Sequence, residues 1–448
     1  MEQSSSTKQL KQVLGFGDLM GAAVGQIIGA GIMTLLGSAI GMTGRSVPLA
    51  FLVAFVIVVC QYAPLVFISG TVRLRGGNYS MVAMLAGQKM AGAYSIIFVF
   101  SNLSLSMYAL SFASYFVSLF GIGTEQSVGF VILTLFFILN CLGIDKFAKV
   151  QNVIVVCLVA ALLVFAVAGI SGKWGGGIQP DYFAKDTWMT GGVMGLLQAG
   201  GLLVFATGGA NCVVNLSAEA KRPTRDIPIV MIVSTLAVAV IYGVIAFVAA
   251  GVLPVEEVAN QNLSLVANEI LPYPLYVFFM ICGAGFALIS TLNSQFAWAP
   301  KPTMQACDDG WLPKGLAKLS KWNTPIVILG ILYVLGAVCI MTGLSVAVIG
   351  NMCLIATGAT TLMINAFLWR LPKVIPDEWA SSKFKISAPM LKVISLLGSL
   401  AAAFNIYLNA TTLSPTLLAL NGVVIVAAFI FAFARSKHVQ MDISYEKV

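Results

Sequence analysis

Two glycine clusters lie inside long apolar stretches of this sequence, where backbone polar groups have no charged side chain nearby. The first cluster covers residues 25–31 (GQIIGAG) and the second covers residues 205–211 (FATGGAN). Glycine has no Cβ, so a ligand can approach the main chain closely at such positions. If the clusters interrupt two helices, the freed N–H groups attract an anion and the freed carbonyls attract a cation. The clusters therefore predict a backbone-built site for a small molecule that carries both charges.

The composition shows which solvent surrounds these clusters. Of the 448 residues, 59% are apolar and 9% are charged, whereas soluble domains carry about 25% charged residues. The mean hydropathy is +0.95. These values exclude a soluble enzyme, a nucleic-acid-binding protein and a disordered chain, and they indicate a polytopic membrane protein.

Ten charge-free runs of at least 19 residues divide the chain into membrane-length segments. A helix needs about 20 apolar residues to cross a bilayer, so eight runs fit one helix each and the two longest, of 48 and 42 residues, fit two each. We therefore predict an all-α protein with twelve transmembrane helices, labelled α1 to α12 in chain order. The predicted ranges are 17–40, 46–70, 92–120, 126–144, 149–170, 189–216, 227–251, 273–300, 324–343, 346–369, 389–409 and 415–434.

The basic residues predict the orientation of the chain. Short cytoplasmic loops carry an excess of Lys and Arg, and a cytoplasmic N-terminus places 22 of the 25 basic residues on that side. The exceptions are Arg45, Lys173 and Lys185. We predict an integral multi-pass protein of the plasma (inner) membrane with both termini cytoplasmic. Its net charge of +8 is explained by topology, and no nucleic-acid partner is expected.

The two glycine clusters also predict an internal repeat. They fall in α1 and α6, and because these helices are five apart, they cross the membrane in opposite directions. Transporters built from inverted repeats interrupt corresponding helices of each half. The predicted organisation is a cytoplasmic tail (1–16), two repeats (17–170 and 187–370), α11–α12 (371–434) and a second cytoplasmic tail (435–448). Close packing of helices through glycine is the alternative explanation of the clusters.

Several motifs resemble those of the amino acid–polyamine–organocation (APC) superfamily. The second cluster leads into residues 218–228 (AEAKRPTRDIP), which is similar to the family pattern F-A-Y-G-G-W-N … E-E-x-x-N-P-x-R-x-I-P. Residues 28–33 (IGAGIM) resemble I-G-[SA]-G-I-F, and 76–79 (GGNY) resemble G-G-x-Y. Residues 309–313 (DGWLP) with 324–325 (TP) resemble D-G-x-L-P … T-P. The resemblance implies an amino acid permease or exchanger of the five-plus-five, LeuT-like fold, with α1 and α6 unwound at mid-membrane.

The resemblance and the backbone argument assign the same substrate site. The carboxylate of an amino acid would bind N–H groups at Ala30 and Gly31, and its ammonium would bind carbonyls of both breaks. Phe205 holds the gating position of the family, with a packed or lipid-facing ring as the alternative. The predicted substrate-binding residues are Ile27, Ile28, Gly29, Ala30, Gly31, Phe205, Ala206, Gly208, Ala210, Asn211, Tyr108 and Tyr242.

Some members of this set carry their own alternatives. Asn211 matches a position that contacts substrate in several family members, but a helix-packing amide fits it equally well. Ala210 departs from the frequent Trp of the family, which leaves room in the pocket or lets another side chain fill it. Tyr108 and Tyr242 are polar aromatics suited to line the path, and both equally suit helix packing.

The charges that are missing predict the substrate class. All 17 acidic residues fall at predicted helix ends, in loops or in tails, so a cationic side chain at mid-membrane would find no partner. We predict a neutral amino acid and disfavour arginine, lysine and polyamines. Another small amine, an organic cation or an amino-acid derivative is the alternative. A channel would need a continuous polar pore and a membrane enzyme would need clustered His, Cys or acidic residues, and the sequence indicates neither.

The sequence does not determine whether transport is coupled to an ion. After Val150-Gln151, where the family often has a Lys seven residues on, this chain has Leu158. A sodium ion bound by oxygen ligands of α8 is one interpretation, and interhelical hydrogen bonding is the other. The only His, His438, lies in the tail. Exchange or facilitated transport needs no ion, and no other cofactor or metal is expected. The α8 residues are Ser290, Thr291, Asn293 and Ser294.

Overall fold

The computed structural model describes residues 10, 12–143, 147–441 and 445–446, with side chains for all of these except 147–152. Much of the predicted N-terminal tail, part of the C-terminal tail and the side chains of Val150-Gln151 therefore lie outside the described residues. Within them the chain is almost entirely helical. A helix satisfies its backbone polar groups internally, which apolar surroundings require.

A helix occupies each of the twelve predicted segments. The bounds are α1 (Phe16–Ile27, a π-helical turn Gly31–Leu35 and Leu36–Thr43), α2 (Val47–Ser69), α3 (Gln88–Ser101 and Ser104–Phe120), α4 (Glu125–Cys141), α5 (Phe147–Ser171), α6 (Gly192–Thr207 and Cys212–Asn215), α7 (Pro223–Gly251), α8 (Tyr273–Phe278, a π-helical stretch Phe279–Gly285 and Phe286–Trp298), α9 (Ile326–Met341), α10 (Val346–Asn365), α11 (Ala388–Ala410) and α12 (Pro415–Arg435).

Short elements connect these helices. They are the helices Asn78–Leu85, Lys185–Trp188, Val255–Val258, Ser264–Ile270, Pro300–Asp308, Leu371–Val374 and Pro376–Ser381, and the 3-10 turns Gly44–Ser46, Ser217–Glu219, Lys314–Ala317, Leu368–Arg370 and Ser436–His438.

The described chain contains nine helical stretches that are long and apolar enough to cross a membrane. One of them, Phe16–Ser69, contains both α1 and α2, and the apolar helices α4 and α9 are shorter than the others. The prediction of a helical, polytopic membrane protein is therefore supported by the length and composition of its helices.

Both glycine clusters interrupt their helices. The first half of α1 ends at Ile27, and Ile28 has extended backbone with φ −83° and ψ 94°. The first half of α6 ends at Thr207, followed by Gly208 with ψ −176° and Gly209 with φ +114°, a conformation that strongly favours glycine. The sequence did not predict the division of α3 at residues 102–103 or the π-helical stretch of α8.

The two breaks lie against each other. A Cβ added to Gly31 would overlap the Cα of Ala206, and one added to Gly209 would lie 3.1 Å from the carbonyl oxygen of Gln26. A Cβ on Gly29 would overlap the Thr291 hydroxyl of α8. Close packing through glycine is thus present at these positions, and it brings the breaks of α1 and α6 into direct contact.

Two short strands qualify the prediction of a purely α-helical fold. Strand β1 (Arg73–Leu74) pairs antiparallel with β2 (Tyr445–Glu446), with Arg73 opposite Glu446. Arg73 and Arg75 are buried, and each lies 3.8 Å from a carboxylate oxygen of Glu446. Tyr445 and Glu446 therefore pack onto the α2–α3 connection.

Arg45, one of the three exceptions to the charge bias, anchors the opposite end of the molecule. Its side chain is fully buried between α1 and α2 and pairs with Asp181 at 3.1 Å. It also donates to the Asp181 carbonyl at 2.6 Å and to Gln179 at 2.8 Å, and its own carbonyl accepts from Tyr182. One guanidinium thus holds the α5–α6 connection onto the α1–α2 turn.

Arg45→Ala is expected to destabilise the fold, because the variant loses charge-assisted hydrogen bonds worth roughly 2–4 kcal/mol in total. Asp181→Asn is the matched control. The Asp181 side chain is 61% exposed, so water can solvate the part of the guanidinium that loses the carboxylate. The hydrogen bond from Arg45 to the carbonyl of residue 181 persists. The midpoint of thermal unfolding of the purified protein measures both effects. Equal shifts for the two variants would contradict this account.

Candidate functional site

A cavity of about 120 Å³ lies beside the break in α6, enclosed by α1, α2, α3, α8, α10 and α11. Drug-sized ligands occupy pockets of about 300–1,000 Å³, so this interior suits only a small molecule. Its polar lining consists of amides, hydroxyls and tyrosines, and no charged side chain of the described residues lines it. The lining amides are Gln26, Gln61, Asn78, Asn211, Asn215, Gln295 and Asn405.

A buried network of amides forms one wall of the cavity. The Gln26 Nε2 donates to the Tyr108 hydroxyl and to Gln295 Oε1, both at 3.2 Å. The Gln26 Oε1 accepts from the Trp298 indole at 3.1 Å, and Gln295 Nε2 donates to Asn102 Oδ1 at 2.7 Å. Every polar atom of the Gln26 side chain is therefore paired with a neutral partner, and the network joins α1 to α3 and α8.

Two aromatic residues border the break in α6. The Tyr62 hydroxyl accepts a hydrogen bond from the Gly209 N–H at 2.9 Å. The Phe205 ring is half-buried, lines the cavity and lies with its centroid 5.9 Å from that of Tyr108. Phe205 therefore stands at the boundary of the cavity.

The break in α6 leaves backbone groups without partners. The carbonyls of residues 205–208 receive no hydrogen bond from any described residue, and the N–H groups of Ala210 and Asn211 find no acceptor there. The carbonyl end of a helix carries a partial negative charge. Because Phe205 and Gly208 line the cavity, this end of α6 suits a cation at the cavity wall.

The break in α1 is capped by side chains from other helices. The Tyr242 hydroxyl donates to the Ile27 carbonyl at 2.9 Å, and the Thr291 hydroxyl donates to the Gly25 carbonyl at 2.8 Å. The N–H groups of Gly29 and Ala30 in this break have no acceptor within the described chain.

The structure brings four of the predicted substrate-binding residues to the cavity and leaves the others behind it. Tyr108, Phe205, Gly208 and Asn211 line the cavity. The remaining residues are buried in the helix contacts around it, and Tyr242 caps the α1 break instead of lining a path. These buried residues are Ile27, Ile28, Gly29, Ala30, Gly31, Ala206, Ala210 and Tyr242.

The four predicted ion-site residues separate into two pairs. Ser290 and Thr291 are fully buried, and the Thr291 hydroxyl lies 2.8, 3.4 and 2.9 Å from the carbonyl oxygens of residues 25, 28 and 287. Asn293 instead accepts a hydrogen bond from Asn140 of α4 at 3.0 Å, and Asn293 and Ser294 are only half-buried. The oxygen cluster is therefore centred on Thr291.

One end of the cavity is closed by polar contacts. The Asn78 N–H donates to Asn215 Oδ1 at 2.9 Å, and both residues line the cavity. Farther from it, Lys301 pairs with Glu219 at 2.9 Å. These contacts join the α2–α3 connection and the end of α8 to the segment after α6.

The buried carboxylate of Asp309 is not part of the cavity lining. Asp309 is 2% exposed and accepts from the Tyr79 hydroxyl at 2.7 Å and from Gln305 at 2.9 Å. Burial, followed by the nearby Asp309 carboxylate, raises the pKa of Tyr79 well above its ordinary value, so the phenol stays protonated and donates. Among the described residues, none that lines the cavity carries a carboxylate.

Comparison with known proteins identifies the family. The family model described as amino acid permease matches residues 14–434. The chain belongs to the amino acid permease family. Together with its motifs this places the permease in the APC superfamily, whose members are transporters and not enzymes.

Three relatives of this permease come from bacteria and are named as permeases or transporters. A branched-chain amino acid permease of Bacillus subtilis is 27% identical over 58% of the chain, and the chain covers 59% of that relative's length. A branched-chain amino acid permease of Lactococcus lactis is 25% identical over 88% of the chain and 89% of the relative. A methylthioribose transporter of Bacillus subtilis is 25% identical over 74% of the chain and 77% of the relative.

Sequence reasoning missed several residues that line the cavity of this permease. Gln26 lies inside the first glycine cluster, where a polar side chain next to a helix break indicates a place near the site. Tyr62, Gln295 and Trp298 lie in charge-free runs with no nearby glycine. Their one sequence signal is a polar atom in a membrane-length segment, and this does not show which way a helix turns its side chains.

Proposed function

We propose that this permease is a secondary active transporter that moves a neutral amino acid across the plasma membrane by alternating access. The chain would cross the membrane twelve times, with two inverted five-helix repeats and both termini cytoplasmic. Support comes from a helix in each of the twelve segments and from breaks in α1 and α6, which hold corresponding places in the proposed repeats. Rocking of α1, α2, α6 and α7 against the other helices would then alternate access to the site.

The observation that carries this proposal is an uncharged cavity beside unpaired backbone carbonyls. A substrate ammonium placed there would bind the carbonyls of Phe205 and Gly208, which have no donor among the described residues. An unpaired polar group in apolar surroundings costs several kcal/mol, so a ligand that pairs these carbonyls is favoured. The Phe205 ring would cover the bound substrate.

The carboxylate of the substrate needs N–H donors. The cavity offers the free N–H of Asn211, while Gly29, Ala30 and Gly31 are packed behind it. We propose that the α1 donors reach the carboxylate when α1 moves relative to α6. The contact between Gly31 and Ala206 would be the part of the structure that changes.

The side chain of the substrate is limited by the cavity lining. Leu65, Val204 and Leu354 give apolar surface, and two relatives are named as branched-chain amino acid permeases. Both observations favour an aliphatic side chain. An uncharged thiosugar is the second candidate, because a third relative is named a methylthioribose transporter and hydroxyl groups would pair with the lining amides.

The test is uptake by the full chain in proteoliposomes. The panel contains radiolabelled leucine, isoleucine, valine, other neutral amino acids, lysine, putrescine and methylthioribose, with and without sodium and pH gradients. Saturable uptake of neutral amino acids is expected. Saturable uptake of cationic amines alone would overturn the substrate class, and uptake of methylthioribose alone would favour the second candidate. Counterflow without an ion gradient would show exchange.

We further propose a sodium site at Thr291 as the coupling device. Three carbonyl oxygens converge on its hydroxyl, and hard cations prefer such oxygen ligands. Ser290, which is also fully buried, is the neighbour of Thr291 in the chain. Asn293 is excluded because it faces Asn140. Exchange or facilitated transport is the competing mode.

Thr291→Val is expected to remove sodium stimulation of uptake, because valine keeps the shape of the side chain and deletes the oxygen. The apparent sodium affinity should fall by at least about tenfold, which corresponds to one lost ligand of roughly 1.4 kcal/mol. Asn293→Ala is the matched control and should keep wild-type sodium dependence. Uptake by the wild type that is independent of sodium would contradict the site.

A further inference from the structure

A second and larger cleft lies between the start of α1 and the start of α7. Its volume is about 430 Å³, and it is separate from the cavity of the proposed substrate site. Lys221, Arg222 and Arg225 line it, together with the aromatic ring of Phe16 and the aliphatic side chain of Ile229. The cleft therefore combines three cations with an apolar wall.

The three cations of this cleft have no side-chain partner among the described residues. Lys221, Arg222 and Arg225 are exposed, and their side chains make no ion pair or hydrogen bond with a described residue. Two other basic residues of the proposed cytoplasmic side do have partners. Lys301 pairs with Glu219, and Arg370 donates a hydrogen bond to the Leu85 carbonyl.

One acidic residue, Asp226, also lines the cleft and lowers its positive charge. Asp226 is 6% exposed, so it faces the floor rather than solvent. The lining keeps a net charge of +2 from three cations and this carboxylate. The first turn of α7 adds the partial positive charge of a helix N-terminus. The electrostatics of the cleft therefore favour an anion.

An exposed apolar face of α7 continues from the cleft. Ile232, Val233, Leu236 and Val240 follow Ile229 at helical spacing, and each is between 44% and 70% exposed. Phe16 is 43% exposed at the rim. A molecule with an anionic head and an apolar tail would place its head on the cations and its tail along this face of α7.

We propose that this cleft binds the phosphate headgroup of an anionic phospholipid of the cytoplasmic leaflet. The inference rests on the proposed membrane topology, which puts the starts of α1 and α7 at that surface. Basic pockets between membrane helices on the cytoplasmic side bind such headgroups. Because α1 and α7 both belong to the group of helices proposed to move, a lipid here would bind to the moving part of the transporter.

The test is native mass spectrometry of the full chain in detergent, titrated with phosphatidylglycerol or with phosphatidylcholine. We expect the wild type to retain phosphatidylglycerol at lower concentration. The variant Lys221→Gln/Arg222→Gln/Arg225→Gln should lose roughly a hundredfold in affinity, at roughly fivefold for each basic residue near a membrane surface. The substituted side chains are exposed, so folding is not at risk.

The matched control is Lys314→Gln/Lys318→Gln/Lys321→Gln, which removes the same charge from the connection after α8 and should bind as the wild type does. An equal loss in this control, or equal retention of the two lipids by the wild type, would overturn the proposal. Displacement by millimolar inorganic phosphate would assign the cleft to a soluble anion instead of a lipid. Binding is measured without transport, so either result leaves the proposed function untouched.

Discussion

Gly31→Ala is expected to lower uptake by roughly a hundredfold while the chain stays folded. The new Cβ would overlap the Cα of Ala206. The backbone fixes the positions of both atoms, so no side-chain rotation can relieve the overlap. The second half of α1 and the first half of α6 must then separate. Overpacking of this kind costs about 1–3 kcal/mol, which folded proteins usually survive, whereas displacement of a site by about 1 Å lowers rates by about a hundredfold.

The matched control for this prediction is Gly243→Ala in α7, where an added Cβ meets nothing within 4 Å. This variant should transport at the wild-type rate. The initial rate of uptake into proteoliposomes is the measurement, and size-exclusion elution with thermal unfolding reports folding. Wild-type uptake by a folded Gly31→Ala variant would show that the α1–α6 contact does not define the site.

Most of the helices were predictable because one physical requirement determines them. A membrane-length apolar segment must satisfy its own backbone, and each of the twelve predicted segments contains a helix whose ends lie within a few residues of the predicted ones. The glycine clusters located the breaks of α1 and α6. At Gly209 the reason is physical, since few residues other than glycine adopt a φ of +114°. The division of α3 at residues 102–103 was not predictable, because Asn102 and Leu103 give no comparable signal.

The lining of the cavity was less predictable than the breaks. Which side chain faces the interior depends on the rotation of each helix, and a charge-free run carries little periodicity to reveal it. Gln295 and Asn293 lie two residues apart on α8, yet Gln295 enters the amide network while Asn293 faces α4. From the sequence, Tyr108 and Tyr242 were equally good candidates for lining the path. In the structure Tyr108 lines the cavity, whereas Tyr242 donates to the α1 backbone.

The two breaks differ in how many of their carbonyls already accept a hydrogen bond. The carbonyls of Gly25 and Ile27 in α1 are occupied by hydroxyls from α8 and α7, whereas the carbonyls of residues 205–208 in α6 have no described donor. A ligand cation therefore gains more at α6 than at α1. The sequence argument placed the ammonium on carbonyls of both breaks, because the side chains that cap α1 belong to helices far away in the chain.

Gln26→Glu is expected to change the charge of the preferred substrate. In the wild type all polar atoms of this amide are paired with neutral groups. A carboxylate at this position would meet no cation among the described residues that line the cavity, and an unpaired buried charge is costly. Uptake of neutral amino acids should fall by at least about tenfold. Lysine should gain about tenfold to hundredfold relative to leucine, because a hydrogen bond to a charged group contributes about 1.5–3 kcal/mol.

Two further variants separate a charge effect from a packing effect in this measurement. Gln26→Leu breaks the same network without adding charge, so it should lose leucine uptake and gain no lysine uptake. Gln126→Glu makes the same chemical change at an exposed position at the start of α4 and should leave both substrates unchanged. Competition between labelled leucine and labelled lysine gives the ratio directly. If Gln26→Glu and Gln26→Leu behave alike, the amide network is structural and the neutral lining does not set substrate charge.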